Sequence, residues 1–188
     1  LKRLRTPYPL FANREYVMNY AFKQISLKPQ DLLVLFKLVG LDGKSFSYNR
    51  LALDLGISAS EAHSSVRRAS ASRLIFDSEG APAVQRAAFR DFVLFGARYC
   101  FPASFGAPTS GLPTGYAAAP LSDLIVPSQD LPPVWPQPQG AVRGIALCPL
   151  YPTVPHASAR DKLLYESLAL FDALRAGAAR ERELAQQL

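Results

Sequence analysis

The sequence predicts a mainly α chain with one small β-hairpin wing. Three observations carry that expectation: two capped helices around a single glycine in LALDLGISASEAHSSVRRASASRLI, Leu51–Ile75; a hairpin signal directly after them; and an apolar stripe at helical spacing from Ser158 onward. About half of the 188 residues are apolar, enough for a sizeable core.

The first helix is expected in PQDLLVLFKLVGLDG. Pro29 suits an opening turn, where its missing N–H is not needed, and Gly40 with Gly43 closes the segment. Leu32, Leu33, Leu35, Phe36, Leu38 and Val39 cover so broad a face that this helix must be buried on more than one side. Ser47 can cap a second helix, Tyr48 to Leu55, by accepting an orphan N–H of its first turn. Leu51, Ala52, Leu55 and Ile57 follow helical spacing, and Gly56 stands where the chain must stop and reverse, a step that asks for positive φ. Ser58 and Glu61 make the S-x-x-E capping box of a third helix, roughly Ala59 to Arg73.

In LIFDSEGAPAVQ, a short apolar run leads to the turn formers Asp77, Ser78, Glu79, Gly80 and Pro82 and then Val84, which reads as two strands with a tip. Three helices and a hairpin are the order of a winged helix-turn-helix. AAFRDFVLFGARYCF places Phe89, Phe92, Val93, Phe95 and Tyr99 on a fourth helix. Twelve of the sixteen prolines then fall between Cys100 and His156, which excludes long regular elements. The segment is too apolar for a solvated linker, so it is expected to be an ordered, Pro-rich loop segment with a short helix at Pro120 to Ile125 and a strand near Val142 to Leu147. Trp135 reads as a core anchor for that loop rather than a ligand platform. Ser158 to Leu188 is a C-terminal helix with a break at Gly177; its stripe of Leu163, Leu164, Leu168, Leu170, Phe171 and Leu174 packs either in a coiled coil or on the chain's own first helix. The expected divisions are 18–99, 100–156 and 157–188. The single methionine, Met18, is read as the native start, with residues 1–17 an upstream or cloning-derived segment.

Net charge is +6, and its distribution matters more than its sum. Residues 18–90 carry ten Lys/Arg against six Asp/Glu, whereas residues 91–188 carry seven against eight, so the basic excess accompanies the helix-turn-helix. Cys100 and Cys148 lack CxxC spacing and are expected to be buried free thiols, as suits a reducing cytoplasm. His63 and His156 have no ligand-spaced neighbours, GAPTSGLPTG lacks the lysine of a phosphate loop and reads as a plain turn-rich loop, and no acid, base and nucleophile set stands out. No enzyme, metal or cofactor is therefore expected. No apolar run reaches membrane-spanning length, so no membrane association is expected either.

In a helix-turn-helix reader the third helix meets the major groove. Ala62, Val66 and Ala69 face inward by helical spacing, leaving Ser60, His63, Ser64, Arg67, Arg68 and Ala71 outside. Arg67 can bond bidentately to guanine O6 and N7, while Ser60, His63 and Ser64 can approach other base edges, and the cap Ser58 is counted with the DNA-binding residues. Arg68, Arg73, Ser47 and Tyr48 suit phosphates.

Those residues, with FDSEGAPAV after them, resemble the winged helix-turn-helix of bacterial transcriptional regulators of the multiple-antibiotic-resistance-regulator type, over about residues 28–86. The resemblance implies a third helix in the major groove, a hairpin tip near Glu79 to Pro82 at the minor groove, and flanking helices that form a homodimer. The acidic tip, Asp77 and Glu79, departs from the Arg or Lys of that pattern. FGARYCFPASFG and LYPTVPHASARD are similar to segments of bacterial proteins with such a head, which implies no ligand or reaction. Double-stranded DNA is thus the expected partner. The alternative is a protein-interaction module on the same fold, such as an antitoxin, because the third helix is mostly Ala and Ser.

Overall fold

The computed structural model describes residues 25–78, 81–126 and 130–188. The expected start at Met18 and the hairpin tip at Glu79 and Gly80 lie outside them. Helices α1 (Pro29–Leu41), α2 (Tyr48–Leu55) and α3 (Ala59–Ala71) are followed by strands β1 (Ile75–Ser78) and β2 (Ala81–Val84), which pair antiparallel with Ile75 opposite Val84. Leu32, Leu33, Val34 and Leu35 have no exposed surface, so α1 is enclosed on several sides, as the width of its apolar face requires. The third helix ends two residues before Arg73, because Arg73 turns left-handed at φ 59° and the Leu74 N–H closes onto the Ala69 carbonyl at 2.9 Å.

The fourth helical stretch is interrupted. Helix α4 (Arg86–Asp91) passes through a π-helical turn at Phe92–Gly96 into α5 (Ala97–Cys100). Phe89 is buried edge-on to Phe36, 5.1 Å between ring centres, whereas Phe95 and Tyr99 remain exposed.

The Pro-rich segment corrects two expectations. Long regular structure is not excluded there, since GAPTSGLPTG lies largely within β3 (Phe105–Pro113), a nine-residue strand and not a loop. Strand β3 runs antiparallel to both β4 (Pro133–Pro136) and β5 (Val142–Leu147), while β4 and β5 pair in parallel, so the three strands close on one another. Closure demands a close approach at Gly111, which pairs with both Pro136 and Val142; a Cβ there would stand 2.2 Å from the Trp135 carbonyl oxygen. Strand β5 falls where the sequence places it, and the expected short helix is one 3-10 turn, Leu121–Asp123.

The chain ends in α6 (Val154–Ser158), α7 (Lys162–Ala176) and α8 (Ala179–Gln187), with Gly177 at the break. Of the two ways to cover the apolar stripe, α7 takes the chain's own first helix, with Phe171 5.6 Å from Phe36 between ring centres. Leu35, Leu55, Val66, Trp135, Leu150, Leu168 and Phe171 belong to one continuous core, so the three expected segments fold around shared interior.

Trp135 is the expected core anchor, at 1% exposure. Its Nε1 donates to Asp172 Oδ2 at 2.6 Å, Thr114 Oγ1 donates to the same oxygen at 2.8 Å, and Arg175 Nε donates to Oδ1 at 2.7 Å. Both cysteines are free, but both are exposed, contrary to expectation. At the end of β5 the alternation of side chains turns Leu147 inward and leaves Cys148 outside, and Cys100 lies in the last turn of α5. No helix of the described residues is long and apolar enough to cross a membrane.

Candidate nucleic-acid interface

The α2–turn–α3 unit is shaped by local chemistry. Ser47 Oγ accepts from the Arg50 N–H at 3.2 Å, which fixes the start of α2. Gly56 ends it at φ 65°, ψ 38°, the left-handed conformation anticipated for the reversal. Ser58 Oγ accepts from the Glu61 N–H at 3.2 Å, and the Glu61 carboxylate accepts from the Ser58 N–H at 2.8 Å. That backbone hydrogen bond holds the Glu61 carboxyl below its ordinary pKa, helped by the Ser58 and Gln30 side chains.

Helix α3 then divides into two faces. Ala62, Ser65, Val66 and Ala69 are buried, while Ser60, His63, Arg67 and Ala71 are exposed and Ser64 is half-buried. The inward apolar set is the one predicted, with Ser65 added to it. Arg67 makes no ion pair or side-chain hydrogen bond with another described residue. Arg73 is exposed just past the helix end. Tyr48 is half-buried with its ring edge-on to His63, 5.1 Å between centres, and Phe46 packs edge-on to Tyr48 at 5.7 Å.

Arg68 has a different place from the one expected. Its Nε donates to Asp31 Oδ2 at 2.8 Å and its Nη2 donates to Asp31 Oδ1 at 2.5 Å and to Ser65 Oγ at 3.1 Å. Asp31 is wholly buried and also accepts from the Lys28 N–H, so the fork ties α3 to the first turn of α1. The hydrogen bond to Asp31 holds the guanidinium above its ordinary pKa against the opposing effect of burial. A guanidinium so engaged joins helices and is not offered to a phosphate. Ser47 and Ser58 are likewise used as caps.

Between α3 and the hairpin lies an open cleft of about 260 Å³ lined by Tyr48, His63, Val66, Arg67, Ser70, Ile75, Phe76 and Pro82. Sequence reasoning missed Phe76 and Phe46. Strand alternation was the available signal for Phe76: with Ile75 at 4% exposure, Phe76 falls on the opposite face and is 46% exposed. The hairpin strands are in place, but the side chain of Asp77 and the tip with Glu79 lie outside the described residues.

The described residues contain no group of three His, Cys, Asp or Glu side chains that could hold a metal ion. No protein-family model, curated protein or solved structure matches the chain.

Proposed function

We propose that the chain is a bacterial DNA-binding transcriptional regulator that uses α1–α3 and the β1–β2 hairpin as a winged helix-turn-helix. The observation that carries this reading is the split of α3 between a face locked into the core and a face that leaves Ser60, His63 and Arg67 exposed and Ser64 half-buried beside the hairpin. Helix α3 enters the major groove of double-stranded DNA, Arg67 reads guanine, and Tyr48 and Arg73 contact phosphates. A homodimer presents two such helices about 34 Å apart to a pseudo-palindromic site in the cytoplasm.

The test is an anisotropy titration of the protein with its own upstream DNA and with a random duplex at two salt concentrations. Affinity is expected to fall steeply as salt rises, because phosphate contacts release counterions. Arg67→Ala should lose about 1–3 kcal/mol of the preference for the upstream DNA. Equal, salt-insensitive or absent binding to both duplexes sinks the reading.

A second reading, a protein-interaction module, is favoured by one feature. A cleft of about 400 Å³ opens between α1, α4, α7 and α8, with Phe36, Val39, Phe89, Val93, Leu170 and Leu188 in its lining. A protein that co-purifies, with no DNA affinity in its absence, would favour that reading.

A further inference from the structure

We propose that the cleft between α3 and the hairpin receives a single nucleobase turned out of the duplex. The inference rests on the DNA-binding reading and narrows its partner to DNA with an unpaired base opposite the gap between α3 and the hairpin. A base needs an apolar floor and aromatic faces, while the phosphate that follows it needs a cation. The cleft supplies these together. Val66 and Ile75, both buried, line it together with the rings of Tyr48, His63 and Phe76 and with Arg67, and Tyr48 and His63 are in edge contact.

Two further observations favour this occupant. Three of the six exposed side chains of α3, Ser60, Ser70 and Ala71, are too short for much edge readout, whereas stacking on an aromatic ring is strong and tolerant of sequence. Lys44 lines an adjoining cleft that shares Phe76 and Pro82 with this one, so both clefts that meet at the exposed ring hold a cationic side chain. With α3 in the major groove and the hairpin reaching past it, the strand that separates the two grooves crosses this gap. A nucleotide extruded there meets Phe76 and His63, and Lys44 of the adjoining cleft is the cation for its phosphate, while Arg67 keeps its base contact.

The experiment compares the full chain on an intact duplex and on the same duplex with one unpaired 2-aminopurine. We expect about tenfold tighter binding to the second, with quenching of the 2-aminopurine emission as it stacks. Phe76→Ala should abolish the difference between the two duplexes, and Phe76→Tyr should restore it. Equal affinity for the two duplexes, or a preference that survives Phe76→Ala, overturns the inference and leaves the DNA-binding reading standing. Loss of binding to both duplexes overturns both.

Discussion

Arg67 and Arg68 are neighbours in sequence with opposite surroundings. One helical step of about 100° carries the guanidinium from solvent to a wholly buried carboxylate. Removing Arg68 would leave Asp31 buried with only the Lys28 N–H as a described donor, and breaking such a pair typically costs about 3–5 kcal/mol. Arg68 keeps 17% of its side chain exposed, so the lower end applies. Arg68→Ala should therefore lower unfolding free energy in urea by about 3 kcal/mol, while Arg67→Ala changes it by less than about 0.5 kcal/mol. Equal effects from the two variants would contradict this assignment. The sequence displays both arginines on the outer arc of a helix. It does not display Asp31, which lies on another element and meets Arg68 only after α1 and α3 pack. Helical spacing locates a face; the partner on that face is a tertiary fact.

The elements that were legible are those whose signals are local. Ser47, Gly56, Ser58 and Glu61 act within a few residues of themselves, so α2, the turn and α3 could be read directly, and the hairpin follows from its own turn formers. Strand β3 was illegible because its partners lie far along the chain and its prolines argue locally against a strand. The π-helical turn at Phe92–Gly96 is similarly invisible to a spacing rule built on 3.6 residues per turn. Two glycines show how differently local and non-local constraints respond to change. At Gly56 an added Cβ would meet Thr153 at an ordinary 3.5 Å, leaving only the cost of positive φ, about 1–2 kcal/mol for Gly56→Ala. At Gly111 the Cβ would collide with the Trp135 backbone, so Gly111→Ala must separate β3 from β4. We expect thermal unfolding of Gly56→Ala to remain one cooperative transition at slightly lower temperature, and Gly111→Ala to lose the near-ultraviolet signal of Trp135. A Gly111→Ala protein with native Trp135 spectrum would refute the close approach.

Across the whole molecule, polar bridges join the three N-terminal helices to the C-terminal half. Lys37 of α1 pairs with Asp54 of α2 at 3.1 Å and with Asp161, the N-cap of α7, at 2.9 Å, while Gln30 Nε2 donates to the Tyr151 hydroxyl at 3.3 Å. Burial opposes charge on both partners of the α1–α7 bridge. The hydrogen bonds outweigh it, so Lys37 is held above its ordinary pKa and Asp161 below its own. For Asp161 the stabilisation is full above the unfolded-chain value near ~4 and is lost as pH falls through the lowered folded value. For Lys37 it is full below ~10.4 and is lost as pH rises through the raised folded value. Asp172 acts with the opposite sign at the acid end: burial raises its pKa despite Arg175, so stability falls as pH rises from ~4 through that folded value. Asp161→Asn separates these contributions, since Asn caps a helix about as well as Asp but carries no charge for Lys37. In urea titrations from pH 7 down to pH ~2, the wild type should lose its Asp161 contribution below pH ~4. The variant should fall less over the same interval and retain whatever slope Asp172 supplies. Curves that stay parallel would mean that the Lys37–Asp161 bridge does not couple the two halves, and that their shared apolar core and the Gln30–Tyr151 hydrogen bond hold α3 in register with the rest of the chain.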